Sequence, residues 1–111
     1  MPTIVGELTK GAVFNKLVDR TNVLTAPLAK ATTYTALVTD DLILCSSTFT
    51  LTLYTAVGNS GRQITIKNVG TGTITVDGNA SETIDGSLTA VISVQYVSIT
   101  LLSDGSNWSI I

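Results

Sequence analysis

The side chains that could do chemistry in this chain are few. Eight carboxylates are present and no histidine. Without an imidazole, a hydroxyl nucleophile lacks its usual general base and a metal ion its commonest ligand. Two carboxylates can cleave a glycosidic bond when they stand apart across a sugar ring. Asp40 and Asp41, however, are adjacent in a turn and would point apart on a strand. Glu82 and Asp85 flank Ile84 in a turn-rich stretch, where aspartate commonly caps its own backbone. Asp77-Gly78-Asn79-Ala80-Ser81 copies the start of a calcium loop. It then places Glu82 where the loop needs Gly and Leu88 where it needs Glu, so it reads as a turn. Gly70-Thr71-Gly72 precedes neither a helix nor the Lys-Ser/Thr pair of a phosphate loop. Cys45 is the lone cysteine; with no histidine beside it, it completes no structural zinc set and reads as a small buried hydrophobe. No catalytic residue, metal or cofactor is assigned, and a non-enzymatic role is expected.

The elements around these residues follow a period of two. Gln63-Ile64-Thr65-Ile66-Lys67 and Thr73-Ile74-Thr75-Val76 alternate strictly, joined by Asn68-Val69-Gly70-Thr71-Gly72. Alternation, β-branched residues and a glycine-bearing link predict a β-hairpin that buries Ile64, Ile66, Ile74 and Val76. Further strands are expected over Thr33–Val38, Leu42–Cys45, Thr48–Tyr54, Ser87–Ser93, Gln95–Leu102 and Trp108–Ile111. Phe49, Leu51 and Leu53 would point inward, with Thr50, Thr52 and Tyr54 outward. Asp85-Gly86 and Asp104-Gly105 are turn signals, and Trp108 is a core anchor. Short strands at this spacing predict an all-β fold, a small antiparallel β-sandwich or barrel over residues 32–111.

Residues 1–31 read differently. Their periodicity is weak, and Pro27 makes residues 25–31 a connector, so they form an expected N-terminal arm or attachment segment. Lys10, Lys16, Arg20 and Lys30 outnumber Glu7 and Asp19 there, whereas residues 31–111 are acidic. A basic arm and an acidic body suggest attachment and display. The net charge of −2 and sparse, unclustered basic residues do not suit nucleic acid. No apolar run is long enough for a membrane-spanning helix, and no signal peptide opens the chain, so synthesis in a reducing cytoplasm is expected without membrane insertion. Thr, Val and Ile account for 40 of 111 residues. Charged residues make up 13%, about half the usual share, against 44% hydrophobic. That balance predicts self-association, because a small monomer cannot hide so much apolar strand.

Three segments carry a resemblance: Gly61-Arg-Gln-Ile-Thr-Ile-Lys-Asn, Glu82-Thr-Ile-Asp-Gly, and Tyr96-Val-Ser-Ile-Thr-Leu-Leu-Ser-Asp-Gly-Ser-Asn-Trp. In this order they resemble a β-module found at the C-terminal ends of bacteriophage tail-fibre, tailspike and head-fibre proteins. The likeness covers Thr32 to Ile111, with Tyr54 standing where such modules often place Pro. It implies an intertwined homotrimeric knob on the virion surface. If the 111 residues are the whole product, a short arm and a knob fit a capsid decoration or head-fibre protein. The alternative is the receptor-binding tip of a tail fibre that recognises host surface glycans.

On this reading Lys10, Phe14, Lys16 and Arg20 are candidates for docking on the capsid or another virion protein. Phe49, Leu51, Ile64, Ile66, Val97, Ile99, Leu101 and Trp108 are candidates for the core and trimer interface. Asn59, Asn79 and Asn107 are the glycan contacts of the alternative.

Overall fold

A computed structural model describes residues 26–111. Nine strands run through them: β1 Leu28–Lys30, β2 Tyr34–Thr35, β3 Leu42–Cys45, β4 Phe49–Thr52, β5 Gln63–Asn68, β6 Ile74–Asp77, β7 Thr89–Ile92, β8 Ser98–Ser103 and β9 Trp108–Ile110. The described fold is all-β, as the alternation and β-branched content predict. No helix among these residues is long and apolar enough to cross a membrane.

The strands divide into two sheets, ordered β1-β3-β5-β8-β9 and β2-β4-β6-β7. Consecutive strands from β1 to β6 therefore alternate between sheets, and the chain winds as a coil that lays one strand in each sheet per turn. Strands stacked in this way run parallel: Leu28 lies beside Ile43 and Ile43 beside Ile66, while Tyr34 lies beside Leu51 and Leu51 beside Val76. The last three strands each run antiparallel to their partner and close the stack, β7 on β6, β8 on β5 and β9 on β8. The expected antiparallel sandwich or barrel is thus corrected to two mixed sheets with no closed barrel. Residues 28–30, in the expected arm, pair with β3 in the first sheet.

The expected hairpin is also overturned. β5 and β6 stand in different sheets, and each pairs with a strand of the preceding turn. The link between them is a corner built on Asn68, which is fully buried. Its Nδ2 donates to the carbonyls of Gly72 and Ile92, at 2.8 and 2.9 Å, and its Oδ1 accepts from Gly70 N at 3.0 Å. Three satisfied hydrogen bonds repay the desolvation of the amide and aim the chain at the second sheet. This corner nests on the one below it: a Cβ on Gly72 would fall 2.7 Å from the Ser47 carbonyl carbon.

Between the sheets the inward side chains stack in register. Ile43, Ile66 and the partly buried Ile99 form one row, Ile64 and Leu101 another; across the core stand Phe49, Ile74 and Ile92, and Leu51 with Val76. Each fully buried Ile or Leu contributes about 1.5–3 kcal/mol. Outward positions hold Thr50, Thr75 and Val91 in one row and Leu44, Lys67 and Ser98 in another. Tyr54 departs from the expected outward position. Regular pairing of β4 ends at Thr52, and Tyr54 turns in to meet Trp108 edge-on, with ring centroids 5.2 Å apart.

Candidate interaction surface

Asp40, Glu82, Asp85 and Asp104 are engaged with the backbone and hydroxyls around them. Asp40 Oδ2 accepts from Tyr34 Oη at 2.6 Å and from Leu37 N at 2.8 Å. That bond to a carboxylate, with some burial, pushes the Tyr34 phenol up to about 12. Lys30 Nζ lies 4.3 Å from the same ring's centroid, so these three side chains knot the first turn of the coil. Glu82 spans two segments: Oε2 accepts from Thr55 Oγ1 at 2.5 Å and Oε1 from Ala56 N at 2.9 Å. Asp85 Oδ1 accepts from Ile110 N at 3.1 Å. Asp104 Oδ1 takes the amides of Ser106 and Asn107, at 2.8 and 2.7 Å, and donation from Asn107 and then Ser106 holds its carboxyl below the usual range. No three potential metal ligands cluster among the described residues. Burial pushes the Cys45 thiol up to about 11.

The three asparagines named as glycan contacts also bind backbone. Asn59 Nδ2 donates to Thr55 O at 2.8 Å and Asn79 Nδ2 to Leu53 O at 3.4 Å, while Asn107 Oδ1 accepts from Thr83 N at 2.8 Å. Near Asn59 an open groove of about 640 Å³ is lined by Asp41, Ser60, Gly61, Arg62 and Gln63.

Of the core and interface candidates, Phe49, Leu51, Ile64, Ile66, Leu101 and Trp108 fall in one buried cluster, with Ile99 packed against it. Val97 lies outside it, 44% exposed. The docking candidates Lys10, Phe14, Lys16 and Arg20 lie outside the described residues.

Apart from Val97, none of the candidate site residues named from the sequence lies on the apolar margin of the molecule. Leu88, Val91, Val94 and Tyr96 are each about 60% exposed and lie, with Val97, along β7 and the turn after it. The turn is tied down: Val97 N donates to Val94 O, Tyr96 N to Asn68 O, and Asn68 N to Val97 O. Tyr96 holds a φ of +70°, a left-handed conformation that a bulky side chain rarely adopts. The signal that could have found this margin is the run Gly86–Ser103, which carries no charged residue between Asp85 and Asp104.

The segments that carry the fibre resemblance meet in space. β5 pairs with β8, Ile84 bridges Trp108, and Asn107 caps Thr83, while Trp108 N donates to Thr83 O. No protein-family model matches the chain, and no curated protein matches it.

Proposed function

We propose that this chain is a non-enzymatic structural protein of a bacteriophage particle, a homotrimeric knob displayed on the virion surface and docked through its basic N-terminal residues. The observation that carries the reading is the exposed apolar margin, Leu88, Val91, Val94, Tyr96 and Val97, on a protein with only 13% charged residues. Such a margin marks a surface that is covered in use. The phage assignment rests on the resemblance of the three segments. Their packing into one unit supports reading them together: the Glu82–Gly86 turn is held by the closing Asn107-Trp108, and β8 lies on β5.

Docking is tested in the 111-residue chain. Replacing Lys10, Lys16 and Arg20 together by Glu should leave the assembled knob intact and abolish its retention on purified capsids in a co-sedimentation assay. Retention equal to wild type would overturn the docking role.

A further inference from the structure

Among the described residues the two sheets end in four edge strands, β1, β9, β2 and β7. An open edge invites pairing with another chain, and proteins guard theirs with charge, proline, shortness or a covering segment. β1 follows Pro27 and carries Lys30. β2 is two residues long. At β9 the 83–85 segment covers the edge: Trp108 N donates to Thr83 O, Asp85 N to Trp108 O, and the Asp85 carboxylate takes the Ile110 amide. β7, Thr-Ala-Val-Ile, has none of these guards among the described residues. The turn that follows it shows Tyr96 to solvent, 64% exposed, at a φ of +70° that Gly would hold without strain. The ring gives its own core little in return for that conformation.

We propose that β7 and the Val94–Val97 turn form the contact between copies of this chain, facing the rotation axis of the trimer. This deepens the trimer reading above and rests on it. The occupant follows from charge. A residue beside a symmetry axis meets its own copy, so any ionised group there would face a like charge. A foreign partner is better steered by complementary charges on both sides. From Gly86 to Ser103 the chain offers none. The nearest cation recorded against the turn is Lys67 on β5, whose Nζ lies 5.9 Å from the Tyr96 ring centroid. Tyr96 is the anchor: a rigid, amphipathic ring on a fixed turn is the type of side chain that dominates contact surfaces.

Two single variants of the 111-residue chain test this. Val91→Lys supplies the missing edge guard, and Tyr96→Gly removes the ring while relieving its backbone. Both should keep the native near-ultraviolet circular dichroism of buried Trp108 and sediment at about one third of the wild-type mass. Folded variants that sediment with wild type would overturn the interface while leaving the trimer standing. A Tyr96→Gly protein that loses the Trp108 signal would overturn it too, because the ring would then serve its own fold. A wild-type protein that is itself monomeric would remove the trimer reading and this inference together.

Discussion

Trp108 shows what a single residue contributes here. It is buried against Tyr54, yet its Nε1 has no hydrogen-bond partner among the described residues. The indole therefore acts through packing alone. Trp108→Phe should cost about 1 kcal/mol and Trp108→Ala about 3–5 kcal/mol in urea unfolding, a gap that a hydrogen-bonded indole would narrow. Tyr34 acts through its proton. Its folded pKa lies near 12, above the ordinary 10.0, so the folded state prefers the protonated phenol. Stability from the Tyr34–Asp40 bond is fully present below pH 10 and lost as pH rises toward 12. Tyr34→Phe should lower stability at neutral pH and flatten that alkaline loss; an unchanged alkaline limb would assign it to other groups.

At the scale of elements, the corners decide the fold. Strand positions were readable, because alternation shows which side chains face inward whatever the strand pairs with. Their partners were not. A hairpin arm and one turn of a coil present the same period of two, and the glycine-bearing link 68–72 suits either. What separates them is Asn68, a buried amide that looks in sequence like an ordinary turn residue. The Asp85-Gly86 turn was legible because its chemistry is local: both residues have positive φ, and Ile84 and Ser87 exchange backbone hydrogen bonds. Of the candidate surface, the buried rows were legible and the exposed margin was not, since Val97 continues the alternation of β8 but lies beyond its paired length. Two substitutions test the corner. Asn68→Ala should cost roughly 2–4 kcal/mol by stranding its backbone partners. Gly72→Ala should destabilise by about 1–3 kcal/mol because its methyl group meets the Ser47 backbone. Thermal melts within a degree of wild type for both would show that the corner does not hold the coil.

For the whole molecule, the balance of apolar strand against charge governs behaviour. The core between the sheets takes up one set of side chains, and the margin from Leu88 to Val97 is left facing water. On the proposed reading, association covers that margin, and a particle surface, where many copies are held close together, favours it. The most direct measurement is sedimentation equilibrium of the 111-residue chain at micromolar concentration. Three chain masses, unchanged on tenfold dilution, are the expected result. A single chain mass across that range would contradict the account at its centre.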